Sequence, residues 1–253
     1  MKLTIAVICA GLFFLNSQAQ LVNIESKRMQ TDSTRFVLKS DLLFNYTDNN
    51  GEYVMQIGSN LATQYKSKDF QKNYFMILNY NLIRTNEMDF QNSWFFHTRY
   101  NQKLSPIWSL EAFIQNQNNT QLTITQRNLI GTGVRLKLIS KATTSIYFGN
   151  SYMYEAEEID ATDQQFYNHR NSSYLSINQS VQKINLDIIA TLYFQPLYTD
   201  IANHRILGQL KTEIPLTDVI SLSALYNYSR TSFSSDLQDD EASNLSIGVT
   251  LNI

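Results

Sequence analysis

The sequence predicts an all-β protein, a closed antiparallel up-and-down transmembrane β-barrel of about 12 strands, on three observations. Side chains alternate between apolar and polar with a two-residue period through one segment after another. Beyond the N-terminal segment no run of 18 apolar residues occurs, which excludes helical membrane spans. The chain also opens on an export leader: Lys2, then an almost wholly apolar Leu3 to Leu15, then the small-x-small site Ser17-Gln18-Ala19.

The leader sets the organisation. Residues 1–19 are expected to be a cleaved signal peptide, 20–32 a periplasmic lead-in and 33–253 the barrel. Cleavage after Ala19 removes Cys9, the only cysteine, so disulfide and thiolate chemistry are excluded. Ile8 precedes Cys9 where a lipoprotein site needs a small residue, which argues against a lipid anchor. The whole chain has 20 basic and 22 acidic residues, and losing Lys2 takes its net charge from -2 to -3. No global positive field draws it to nucleic acid. With 43% hydrophobic residues, disorder is excluded, and 15 Tyr and 14 Phe against 3 Pro favour strands.

Taken in order, the alternation predicts strands at Phe36 to Tyr46, Tyr53 to Tyr65, Tyr74 to Leu82, Phe90 to Tyr100, Trp108 to Ile114 and Leu122 to Leu138. Six more follow at Ile146 to Tyr154, Leu175 to Val181, Ile184 to Phe194, Ile206 to Ile214, Ile220 to Tyr228 and Leu245 to Ile253. Many approach the roughly 9–11 residues that cross a bilayer when tilted. Four residues break the pattern: Phe75 and Ile77 fall on the polar parity, Asn150 and Gln179 on the oily one.

Charge is a sharper test, because Lys or Arg facing lipid at mid-bilayer costs about 2–4 kcal/mol. Lys39, Asp41, Arg99, Glu111, Arg127, Arg135, Lys137, Asp187, Lys211 and Glu213 all take the polar parity of their strands, and so does His97. These residues are expected to form a charge network filling the lumen, with the lining of a narrow pore as the second reading. Lys72 has the oily parity at a strand end, where its stem can snorkel.

Connections divide between the two ends. One set is tight: 66–69, 102–106, 139–143, 182–183 and 215–218. The other holds the longest stretches, Glu157 to Arg170, Pro196 to His204 and Arg230 to Ala242, as expected of an outer face. The acidic stretches Glu155 to Asp163 and Asp236 to Glu241 read as solvated loops, since they lack calcium-loop spacing. Tyr53, Tyr65, Tyr74, Tyr80, Trp94, Tyr100, Trp108, Tyr226 and Tyr228 lie on oily faces, several near strand ends, as aromatic girdles require.

The stretch Glu111-Ala112-Phe113-Ile114-Gln115, then Asn118-Asn119, then Arg127 to Arg135 resembles the central hairpin of the YdiY-like family, domain of unknown function 481, described as salt-induced outer-membrane proteins. The lead-in Val22 to Arg28 is similar to one branch of it. The resemblance implies an outer-membrane β-barrel with no established activity or catalytic residues. The terminal Ile253 departs from the aromatic end common in outer-membrane strands. Within the hairpin, Gly131 and Gly133 leave space on the inner wall for the bulk of Phe113 or for a bend.

Catalytic patterns are thin. His97, His169 and His204 are far apart, and no nucleophile elbow, paired-histidine zinc motif or phosphate loop occurs. No cofactor and no metal is expected. The expected partners are outer-membrane lipid and lipopolysaccharide, with the barrel-assembly machinery engaging the C-terminal strand. The reading is a non-enzymatic barrel of the bacterial outer membrane in a structural, stress-related or narrow-pore role. Two alternatives stand beside it. One is a soluble exported β-barrel with inward oily faces binding a small apolar ligand. The other is a membrane-embedded lipid hydrolase using His97 with Ser93 or Ser109.

Overall fold

A computed structural model describes residues 34–120, 124–159, 164–217, 220–232 and 240–251. The expected signal peptide, the lead-in and Ile253 lie outside these residues. The strands are β1 (Phe36–Asn49), β2 (Glu52–Lys66), β3 (Lys72–Thr85), β4 (Asp89–Lys103), β5 (Trp108–Asn119) and β6 (Ile124–Ser140). They continue as β7 (Thr144–Ile159), β8 (Gln164–Val181), β9 (Leu186–Pro196), β10 (His204–Pro215), β11 (Ile220–Ser232) and β12 (Asp240–Leu251). Each pairs antiparallel with the next in one 12-stranded sheet of sequential order. The sheet curls until β1 and β12 approach within 8 Å at Cα atoms.

The two-residue period decides which face is which. In β4, Gln91, Ser93, Phe95, His97, Arg99 and Asn101 are buried on the concave face, while Trp94 on the other face is 41% exposed. On β12, Leu245, Ile247 and Val249 are 59–71% exposed. The oily stripes therefore face outward and the polar stripes inward. This overturns the alternative of a soluble barrel with an inward oily face, since so wide an apolar exterior is not tolerated in water.

The apparent exceptions have physical reasons. Phe75 and Ile77 do point inward, and there they are buried against Ala62 and Phe95 as an apolar filling. On the outer face Asn150 donates to Ser173 Oγ (2.8 Å) and to Asn171 (3.3 Å), while Gln179 accepts from Thr144 (2.7 Å), so cross-strand partners satisfy these amides.

Turns fix the register. Asn50 and Gly51 both have positive φ (58° and 87°), the twist a two-residue hairpin needs. At the opposite end, the Asp69 carboxyl is held below the usual aspartate range by the Ser67 hydroxyl and then by the Gln71 N–H (3.1 Å). A carboxylate with a lowered folded pKa stabilises the fold above its unfolded value near 3.9, and that help is lost as pH falls through the folded value. The stability difference between the native chain and Asp69→Asn, followed by urea titration in detergent, is thus expected to shrink as pH drops below about 4. A pH-independent difference would refute the assignment.

The expected boundaries need one large correction. The stretch from Glu157 to Arg170 is not a long loop: β7 runs on to Ile159 and β8 begins at Gln164. Cross-strand stacking of Tyr154 on Tyr167 (6.5 Å, 13°) helps carry the hairpin that far. The longest separations between strands are then 197–203 and 233–239, both at the end where β3 passes into β4.

Candidate functional site: the buried charge layers

Strand register brings charges together on the concave face in two layers. The first lies between β4, β5, β6 and β8. Arg99 donates to Glu111 Oε2 (3.1 Å) across the β4–β5 hairpin, and Tyr174 donates to the same oxygen (3.2 Å) although it lies 63 residues away. Arg135 approaches Glu111 Oε1 at 3.8 Å and stacks its guanidinium over Tyr147 at 4.0 Å.

This layer depends on missing side chains. Phe113 pairs with Gly131, and a Cβ on Gly131 would stand 2.2 Å from the Phe113 ring. Tyr174 pairs with Gly149, where a Cβ would stand 2.0 Å from the Tyr174 ring. Glycine therefore makes the room into which each aromatic folds. His97 lies between Phe95 and Phe113 with Nδ1 3.2 Å from Gln115 Oε1.

The second layer lies further toward the long-connection end. Glu155 is fully buried and faces three arginines: Arg205 at 2.5 Å, Arg170 at 3.4 Å and Arg127 at 3.8 Å. Glu157 accepts from Arg205 (2.9 Å) and from Arg127. The geometry is a branched lattice in which Arg205 bridges both carboxylates. The side chains of all eight arginines and glutamates in the two layers are at most 8% exposed.

Two comparisons place the fold. The family described as "Protein of unknown function, DUF481" matches residues 16–251. The chain belongs to the DUF481 family. No curated protein matches the DUF481 chain. Among solved structures it is similar to the NanC porin, at 10% identity and a TM-score of 0.50, over 87% of this chain and 100% of that one. The translocator domain of autotransporter NalP from Neisseria meningitidis aligns at 12% identity and TM-score 0.48, over 88% and 90%. The KdgM porin aligns at 9% and 0.46, over 86% and 99%. At such identity the NanC likeness speaks of fold alone.

The eleven residues expected to form one network are sorted by the fold of this DUF481 chain into several groups. Arg99, Glu111 and Arg135 share the first layer, and Arg127 belongs to the second. Lys211 and Glu213 pair with each other at 2.6 Å. Lys39, Lys137 and Asp187 line a cavity at the tight-turn end, and His97 joins Gln115 and the aromatic filling. Asp41 lies on β1, and its side chain is outside the described residues. Sequence reasoning missed Glu155, Glu157, Arg170 and Arg205, the heart of the second layer. Reading Glu155 and Glu157 as solvated loop is corrected: Ser151, Met153, Glu155 and Glu157 continue the buried parity of β7. Of the candidate hydrolase groups, Ser93 accepts from Gln91 (3.2 Å) and His97 is boxed by rings, an arrangement suited to packing. Among the described residues no three or more His, Cys, Asp or Glu form a group that could hold a metal.

Proposed function

We propose that this chain is a closed, non-enzymatic outer-membrane β-barrel whose lumen is plugged at its waist, and that its role is structural or stress-related rather than that of an open pore. The observation that carries this reading is the interior itself: two layers of ion-paired arginine and glutamate, with Phe75, Ile77, Phe113 and Tyr174 between the strands, are nearly or wholly out of reach of solvent. Closure is supported by the approach of β1 to β12. A closed sheet leaves no unpaired edge in hydrocarbon.

The outer surface supports a membrane setting. Tyr65, Tyr74 and Tyr100 are cross-strand neighbours at the tight-turn rim, with centroids 6.3 and 5.3 Å apart, and Tyr46 stacks on Tyr53 (5.9 Å) at the opposite rim. Tyr53 and Tyr65 are 12 residues apart on β2. At about 3.3 Å per residue and a tilt of about 40° that separation spans roughly 30 Å, the thickness of a bilayer's hydrocarbon core. Tight turns would face the periplasm.

Refolded protein in a planar bilayer is expected to show no steady channel events, while migrating on a gel as a compact, heat-modifiable species. Long-lived openings from the unaltered protein would refute the plug. Loss of heat-modifiability with recovery as a detergent-free soluble species would refute the barrel.

A further inference from the structure

The filling does not run the length of the sheet. At the tight-turn end a cavity of about 1250 Å³ opens between the turns, bounded by residues from the first half of β1 to the end of β12. Its wall carries Lys39, Lys66, Lys103, Lys137, Lys141 and Lys211, and Arg135 forms part of its floor. Among the described residues of the lining, these seven cations face two acids, Asp187 and Glu213, in a chain whose net charge is -2. Asp187 accepts from Ser180 (2.5 Å), and Glu213 pairs with Lys211 (2.6 Å) with Lys39 also acting on it. At the floor Arg99 and Arg135 both meet the carboxylate of Glu111. A concave wall on which one sign predominates focuses potential into the recess and concentrates counter-ions there.

The geometry points to this vestibule as a blind binding site for a soluble multivalent anion, a compound carrying several phosphate or carboxylate groups. Six lysines spread around one wall suit several separated anionic groups better than a single charge. Lysine ammonium groups act as movable point charges, so the site selects charge number more than one planar geometry. The recess exceeds the roughly 300–1,000 Å³ typical of drug-sized ligands, leaving space for a chain-like or hydrated anion. Amides of the lining, Asn101 and Asn178 among them, add neutral hydrogen-bonding groups. Binding depends on the cavity alone; only access from the periplasm rests on the orientation proposed above.

Titration calorimetry of the full refolded chain in a zwitterionic detergent tests the site, with tripolyphosphate, citrate and neutral maltotriose as probes. At least one of the two anions is expected to bind in a salt-weakened manner, and maltotriose not to bind. Stronger tripolyphosphate binding identifies the phosphate class, and stronger citrate binding the carboxylate class. The double variant Lys103→Gln/Lys137→Gln is expected to lose about tenfold in affinity, roughly 1.4 kcal/mol. Lys68→Gln/Lys183→Gln removes equal charge at the same end outside the cavity wall and should change it little. Equal losses in both double variants, or anion binding no tighter than maltotriose, would overturn the site. Binding of an acidic peptide with neither small anion bound would overturn it in favour of a protein partner. Heat-modifiability of each variant reports folding separately, so a failed barrel and a failed site give different results.

Discussion

Glu155→Gln is expected to destabilise the folded protein by about 3–5 kcal/mol, the cost of leaving buried charge uncompensated. Glu155 is fully buried, and its two oxygens serve Arg127, Arg170 and Arg205. Glutamine keeps the volume and removes the charge. Glu157 is then the carboxylate left to the layer, and it meets two of the three guanidiniums, those of Arg127 and Arg205. Arg170 would retain only neutral acceptors, the Gln195 carbonyl (3.3 Å) and Asn203 (3.1 Å). Urea unfolding of detergent-refolded protein, read by gel mobility, gives the difference. Glu213→Gln is the contrast, because Glu213 is more exposed and its close ion pair is with a lysine, Lys211, at 2.6 Å. Near-equal effects of the two substitutions would remove Glu155 from the centre of the layer.

Gly149→Val is expected to cost about 2–5 kcal/mol through a different mechanism, overpacking joined to a lost charge-assisted hydrogen bond. The new Cβ would fall 2.0 Å from the Tyr174 ring. That ring cannot simply move away: it packs on Tyr193 at 5.1 Å, and its hydroxyl holds Glu111 at 3.2 Å. Pairing Gly149→Val with Tyr174→Ala supplies the check, since the smaller side chain vacates the space. The double variant should be more stable than the sum of the single losses implies. Strict additivity would mean that the glycine and the tyrosine act independently.

Much of this architecture is readable from the chain because a strand's side chains report their face every second residue. Parity alone puts Arg99, Glu111 and Arg135 on the inner face, and Gly131 and Gly133 read as space there for Phe113 or for a bend, of which Gly131 proves to serve Phe113. Register within a hairpin is local, so these neighbours are legible. The contact of Glu111 with Tyr174 is not, because it depends on how far the sheet curls. Glu155, Glu157 and Arg170 were hidden for another reason: acidic and polar residues near a turn look the same whether they end a strand or form a loop. Their burial is decided by Arg205, supplied by β10 some 50 residues later than Glu155. Extending the buried parity of Ser151 and Met153 by two more steps was the one signal available.

The inside-out arrangement can be read through the chain's own fluorophores. Its two tryptophans, Trp94 and Trp108, both lie on the exposed apolar face, 41% and 46% accessible. In liposomes of brominated phospholipid, tryptophan emission should fall strongly, with little quenching by iodide in the aqueous phase. Emission unaffected by brominated lipid and quenched by iodide would contradict the account, because the apolar stripes would then not be meeting lipid.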